Sequence, residues 1–280
     1  MTQYRANLSQ QFSGQYFIVT GATQGLGRAV ALLLAKRGAK GVLIAGRNSE
    51  RGEQVVAELI ALGCQGVFFS LQLQSVEACK ALVERADQLF GTLNGVVNCA
   101  GFTGRGGLLD TDEALFDQMF AVNAKAPFFI MQSAAKLMIR DSVEGSMVNI
   151  SSVSAHGGQS FLTPYSASKT ALNTLTKNAA FSLLRNRIRI NALNIGWMDS
   201  DGEHQVQKAY HDAPDDWLEA VEAREPFGRL VKPEEVARAA AYLLSEESGL
   251  LSGSVIDFDQ GVIGCGDART PQPEQPLSFS

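Results

Sequence analysis

Tyr165 and Lys169 stand four residues apart, so on a helix they share one face, and Ser152 lies thirteen residues before the tyrosine. A phenol ordinarily holds its proton up to a pH of about 10. An ammonium beside it favours the phenolate and brings that value toward the working range of a proton-transfer group. A serine hydroxyl at the same place can hydrogen-bond an oxygen on which negative charge develops. A lone Tyr-x-x-x-Lys is common on ordinary helices. A serine such as Ser152 makes the pair a candidate acid/base centre where the fold brings its hydroxyl beside the phenol.

A second set of residues points to phosphate. Thr20-Gly21-Ala22-Thr23-Gln24-Gly25-Leu26-Gly27 follows an apolar strand-like run and opens a helical one. Gly21 permits a tight turn, Gly25 lets the backbone approach a pyrophosphate, and Gly27 allows close helix–sheet packing. The helix start then offers free N–H groups and a partial positive charge. The competing reading is a turn that merely needs small residues. Further on, Gly46-Arg47-Asn48 closes the second apolar run without an acid. An acid there would hold ribose hydroxyls and repel a 2′-phosphate, whereas an arginine pairs with the phosphate. The expected cofactor is therefore NADP(H), with NAD as the alternative. Arg47 as a solvated surface cation is the competing reading.

The elements that must position these residues alternate regularly. Short apolar runs at 16–19, 42–45, 67–69, 95–98, 145–150, 188–193 and 254–257 read as strands. Helical patterns at 28–37, 50–62 and 75–90 separate the first of them, with Gly38 and Gly63 closing two. Unbroken β-branched runs between helices indicate strands covered on both faces, hence a parallel sheet. Right-handed crossovers then give an α/β, doubly wound, Rossmann-type three-layer sandwich. No linker divides the chain, so 1–265 is expected to be one domain, with 266–280 a Pro-rich polar tail. The acidic segment 198–229 carries Tyr210, His204, His211 and Trp217 and breaks the strand–helix rhythm. Placed after the sixth strand, it is either a substrate lid or a solvated helical excursion.

With these motifs in order, residues 12–261 resemble the short-chain dehydrogenase/reductase family, in its single-domain branch. Gly21-xxx-Gly25-x-Gly27 has that branch's spacing, Asn98-Cys99-Ala100-Gly101 resembles its Asn-Asn-Ala-Gly motif, and Asn123 matches its helix asparagine. Ser152 and Tyr165-Ser166-Ala167-Ser168-Lys169 match the remaining catalytic positions, which leaves Ser151 out of the set. The resemblance implies hydride exchange between nicotinamide and a secondary alcohol or ketone. It assigns proton transfer to Tyr165, substrate-oxygen binding to Ser152, the nicotinamide ribose to Lys169 and a relay water to Asn123. Cofactor contacts are expected from Gly21, Thr23, Gln24, Gly25, Leu26, Gly27, Arg47, Asn48, Gln72, Asn98, Ala100, Gly101, Tyr165, Lys169, Gly196 and Met198.

The chain departs from the family pattern at three places. Gln72 stands where an aspartate commonly meets the adenine, Ile195-Gly196 replaces Pro-Gly, and Ser200 replaces a carboxamide-binding threonine. None of these removes a proton-transfer group. His156, four residues past Ser152, either binds a substrate hydroxyl or carboxylate or is a partly exposed loop residue. His204 and Trp217 fit lid packing better than catalysis. The resemblance also implies a homo-oligomer, a tetramer or dimer, built on the helices after the fourth and fifth strands. Ala171, Leu172, Leu175, Ala179 and Leu183 form an apolar stripe on the second of these, which is core by default.

Composition narrows the alternatives. A formal charge of −5 argues against nucleic acid as the main ligand. No apolar run reaches the ~20 residues that span a bilayer, and the N-terminus lacks the order of a signal peptide. Cys64, Cys79, Cys99 and Cys265 show neither paired nor metal-ligand spacing, which suits reduced thiols and a cytoplasmic location. A serine hydrolase is disfavoured because no Gly-x-Ser-x-Gly elbow follows a strand. A non-catalytic dinucleotide-binding sensor on the same fold is the second functional reading, and the proton-transfer set speaks against it. A polar, His- and Asp-bearing lid segment suggests a sugar or polyol as the small-molecule substrate.

Overall fold

In the computed structural model, which describes residues 8–265, seven strands form one parallel sheet in the order β3-β2-β1-β4-β5-β6-β7. They are β1 (Tyr16–Thr20), β2 (Gly41–Gly46), β3 (Gln65–Ser70), β4 (Gly95–Asn98), β5 (Ser146–Ser152), β6 (Arg189–Ile195) and β7 (Val255–Phe258). Helices α1 (Gly25–Lys36), α2 (Ser49–Ala61) and α3 (Val76–Phe90) connect the first four strands. Between β4 and β5 run α4 (Glu113–Phe120) and α5 (Ala126–Arg140), joined without a break by a π-helical turn, Ala121–Lys125. Helix α6 (Thr163–Ser182) follows β5, and α7 (Asp201–His211), α8 (Trp217–Glu222) and α9 (Pro233–Leu244) lie between β6 and β7.

Each strand feeds side chains to both faces, as a buried parallel sheet requires. Phe17 and Val19 of β1 enter a core with Val30 and Leu34 of α1, Leu59 of α2 and Val236 and Ala240 of α9. Ile18 turns the other way, into a core with Leu82 of α3 and Ile130 and Met138 of α5. Two cores on either side of one sheet make the three-layer sandwich. A buried polar chain pins its middle. Asn98 Nδ2 donates to Asn149 Oδ1 at 2.8 Å, and Asn149 Nδ2 donates to Thr176 Oγ1 at 2.8 Å, tying β4, β5 and α6.

Local chemistry sets the helix ends. Asn48, Ser75, Asp112 and Ser200 each cap a helix by accepting a backbone N–H. Pro164 and Pro233 occupy first turns, where a missing N–H costs nothing. Helix α1 starts three residues earlier than its apolar pattern suggests, because the glycine turn itself is the helix start, with extended Gln24 (φ −164°, ψ 176°) as its cap. Strands β5 and β6 run on to Ser152 and Ile195, beyond the apolar runs that mark them in the sequence.

Candidate active site

Strands β1 and β4 are neighbours in the sheet but their connections leave in opposite directions, which opens a crevice at their carboxyl ends. Gly21 turns the chain there with φ 66°, and a Cβ on it would lie 2.8 Å from Ala100 N and Cα. Ala100 N in turn donates to Thr20 Oγ1 at 3.1 Å, holding the Asn98–Gly101 turn against the end of β1. A Cβ on Gly27 would collide with the Gly21 carbonyl. Thr23 lies over Gly46, where its methyl fills the space a side chain would need. Buried Leu26 anchors the first turn of α1. The backbone of this turn packs without side chains at Gly21 and Gly27, an arrangement that could hold a pyrophosphate.

Arg47 and Asn48 leave β2 at its carboxyl end and are exposed. Asn48 Oδ1 accepts Arg51 N at 2.9 Å, and the Arg51 guanidinium reaches back to Gln24 Oε1. The Arg51 guanidinium thus stands beside the glycine turn, and Arg47 leaves the adjoining end of β2. Arg51 was not singled out from the sequence, although its place one helical turn after Arg47 is the signal that could have found it. Gln72 is exposed just past β3, and Leu71 N beside it donates to Gly46 O at 2.9 Å, so the two strand ends adjoin.

Ser152 ends β5 and its Oγ accepts Ser154 N at 3.1 Å, capping the short 3-10 turn Val153–His156. Tyr165 stands in the first turn of α6, and the hydroxyls of Ser152 and Thr103 act on its phenol, each favouring the phenolate. Lys169 is buried one turn along, its Nζ donating to Ile150 O at 2.8 Å and lying 5.8 Å from the centroid of the Tyr165 ring. Asn123 is wholly buried in the π-helical turn. Its Oδ1 accepts Phe102 N at 2.8 Å, and its Nδ2 donates to Phe102 O at 2.9 Å and Ser168 Oγ at 3.0 Å. A Cβ on Gly101 would lie 3.7 Å from Asn123 Oδ1 and 3.8 Å from Lys169 Nζ, so these three groups converge.

The electrostatics correct one expectation. Burial raises the Tyr165 hydroxyl above its ordinary value and outweighs Ser152, Thr103 and Arg105, which lower it, while Glu203 raises it further. The Lys169 ammonium lies over the ring, 5.8 Å from its centroid. Burial also pulls Lys169 down to about 8.

The remaining expected residues fall around this centre. Asp259 occupies the space a side chain on Gly196 would need, which gives that glycine its own packing reason without a preceding proline. Met198 is half-buried and bridges to Val231. Ser200 caps α7 within reach of the glycine turn: a Cβ on Gly25 would lie 3.8 Å from Ser200 Cβ. His156 Nε2 pairs with Asp257 Oδ1 at 2.8 Å, so it ties the β5 loop to β7. His204 Nε2 meets Asp199 Oδ1 at 2.9 Å and its Nδ1 accepts Trp217 Nε1 at 3.2 Å, binding α7 to α8. The apolar stripe on α6 divides: Leu172 is core, whereas Ala171 and Leu175 line an open groove with Phe120, Phe128 and Phe129. The tail, 266–280, lies outside the described residues.

Comparison with known proteins settles the family. The family model described as Enoyl-(Acyl carrier protein) reductase matches residues 21–263. The chain is 33% identical over 254 residues to a 3-oxoacyl-(acyl-carrier-protein) reductase of Thermotoga maritima, covering 90% of this chain and 99% of that one. It is 30% identical to an L-rhamnose 1-dehydrogenase (NAD(P)(+)) of a Sphingomonas species, covering 89% and 96%. The chain belongs to the short-chain dehydrogenase/reductase family.

A 3-oxoacyl (acyl-carrier-protein) reductase from Agrobacterium tumefaciens, solved with NADP bound, superposes with a TM-score of 0.84 at 26% identity, over 94% of this chain and 99% of that one. This short-chain dehydrogenase/reductase is thus an oxidoreductase of alcohols and ketones that takes NADP, or NAD, as cofactor. The glycine turn and the Arg51 guanidinium beside it fit such a dinucleotide. No described helix is long and apolar enough to cross a membrane.

Proposed function

We propose that Tyr165 is the proton-transfer group of a reversible alcohol–ketone conversion, with NADP(H) preferred. The observation that carries this reading is the Tyr165 phenol within the influence of the Ser152 hydroxyl, with buried Lys169 over its ring and the glycine turn alongside. The nicotinamide, when bound, supplies or accepts the hydride. Ser152 and Tyr165 both hydrogen-bond the substrate oxygen, and Tyr165 gives its proton to that oxygen in reduction and takes it back in oxidation. A desolvated phenol holds its proton, which suits the reducing direction until positive charge nearby favours the phenolate. Lys169 supplies part of that charge and holds the ribose. Asn123 fixes the loop at Phe102 through its amide and keeps an Oδ1 lone pair for a relay water.

Gly21, Thr23, Gln24, Gly25, Leu26 and Gly27 receive the pyrophosphate, and Arg47, joined by Arg51, reads the 2′-phosphate. Asn48 and Gln72 border the adenosine; Asn98, Ala100, Gly101, Gly196 and Met198 line the nicotinamide half. Helices α7 and α8 act as the lid of one domain spanning 1–265. Its polar face, and the likeness to a rhamnose dehydrogenase, favour a sugar or other polyhydroxylated substrate. The apolar groove of Phe120, Phe128 and Leu175 suits a second copy of the chain, as a dimer or tetramer, in the cytoplasm. A non-catalytic sensor has no physical need of the Ser152–Tyr165–Lys169 set.

The test is nicotinamide absorbance of the full chain with NADP⁺, and separately NAD⁺, against polyols, sugars and simple secondary alcohols. Reduction with NADP⁺ on one substrate group is the expected result. Tight cofactor binding with no turnover on any of them would favour the sensor.

A further inference from the structure

Arg105 lies in the loop after β4, outside every motif that places the reaction. That loop is strapped to the approach to α6: Gly106 N donates to Phe161 O at 2.8 Å, and Thr163 N donates to Gly106 O at 3.2 Å. The guanidinium carbon sits 5.4 Å from the centroid of the Phe161 ring and 5.5 Å from that of Tyr210 on α7. Its Nε and Nη2 face His211 Nε2 at 3.2 and 3.0 Å. Arginine only donates, so His211 accepts through Nε2 and is neutral. Aromatic faces and a neutral imidazole hold the cation in place without neutralising it.

Among the described residues no carboxylate lies within ion-pair distance of Arg105. Its Nη1 is buried from solvent and has no hydrogen-bond partner. A buried, charged donor left unpaired is costly, and proteins seldom keep one without use. The place identifies the use. Gly106, next to Arg105, accepts Thr163 N two residues before Tyr165, and both Thr103 and the Arg105 charge act on that phenol. Glu203, the acid of α7 that also acts on Tyr165, is already engaged with Trp197 Nε1 at 2.8 Å and Gln207 Nε2 at 2.7 Å. Nη1 and the second hydrogen of Nη2 form the unpaired edge of a planar fork that matches the two oxygens of a carboxylate, and a ligand reaches the buried Nη1 when α7 moves aside.

We propose that Arg105 reads a carboxylate on the substrate, so that the alcohol or ketone converted is that of a hydroxy or oxo acid. This rests on Tyr165 being the reacting centre, and it deepens the polyol reading: a polyhydroxylated acid satisfies both the polar lid and the arginine. Phe161, Tyr210 and His211 are positioning residues that hold the guanidinium plane. Because two of them belong to α7, binding of the acid and closure of the lid are coupled.

The experiment titrates matched pairs into the full chain saturated with NADP⁺, by calorimetry: D-gluconate against D-glucitol, and lactate against methyl lactate. The same ligands are assayed for turnover. At least one acid should bind about tenfold more tightly than its neutral partner. Arg105→Gln should erase that difference while leaving the neutral ligand's affinity unchanged, and Arg105→Lys should retain part of it. Equal binding of acid and neutral partner overturns the proposal, as does failure of every acid to bind. Equal weakening of both ligands by Arg105→Gln also overturns it, because that marks a purely structural role. Arg105-dependent binding of an acid without turnover of anything would instead leave the carboxylate site standing and remove Tyr165 as the reacting centre. Turnover of neutral alcohols with no preference for acids would do the reverse.

Discussion

Replacing Tyr165 by Phe keeps the ring against Lys169 and removes only the proton carrier. The expected loss in kcat is about 10²- to 10⁴-fold, far beyond any weakening of NADPH seen in a fluorescence titration. Lys169 carries a second prediction, in stability. Its folded-state value of about 8 lies below the ordinary 10.5, so the unfolded chain binds the extra proton between those pH values. Stability of the cofactor-free protein therefore rises with pH across that window, and the contribution is lost as pH falls through about 8. Lys169→Met should raise Tm by a few degrees at neutral pH, abolish turnover and flatten this rise. Arg47→Ala should weaken NADPH about tenfold and leave NADH nearly untouched, since only the former offers a 2′-phosphate. At this scale the sequence was most legible where spacing encodes geometry: thirteen residues from Ser152 to Tyr165 and four to Lys169. Spacing does not encode depth, and depth is what lifts the Tyr165 hydroxyl against the direction expected from its lysine.

Among the elements, the glycine turn and the strands were readable because a buried parallel strand is a continuous apolar run. The π-helical turn at Ala121–Lys125 was not, since its extra residue leaves no periodic mark, although Asn123 itself was found by its motif. Arg105 was missed for a related reason: its meaning comes from Phe161, Tyr210 and His211, which are distant in the chain. The lid makes its own prediction. Trp217 Nε1 can only donate, so it fixes His204 with Nδ1 bare and Nε2 toward Asp199. Trp217→Phe keeps the packing on Trp197 but unlinks α8 from α7. Faster trypsin cleavage at Lys208 and a KM raised several-fold with little change in kcat are expected. Unchanged proteolysis and KM would mean that α7 and α8 are held by packing alone.

For the whole molecule, the proposed function has one sheet serve both halves of the reaction: β1 and β2 end at the glycine turn, and β5 and β6 end at Ser152 and before α7. The doubly wound order was legible from the strand–helix rhythm, whereas the assembly was not, because an apolar stripe reads as core until the fold shows which part stays open. Leu175→Glu places a charge in the open groove beside Phe128, not in either core. Sedimentation velocity should show the variant at a smaller oligomer size with its Tm for unfolding lowered only through lost association. An unchanged sedimentation coefficient would remove this groove as the interface.

The most direct test of the central claim is a single-turnover reaction of the NADPH complex with a ketone it reduces, wild type beside Tyr165→Phe, followed by nicotinamide absorbance. The account predicts rapid oxidation of NADPH by wild type and a rate at least about a hundredfold lower in the variant, at equal occupancy. Equal rates at equal occupancy would contradict it, and would mean that the proton reaches the substrate oxygen from some other group.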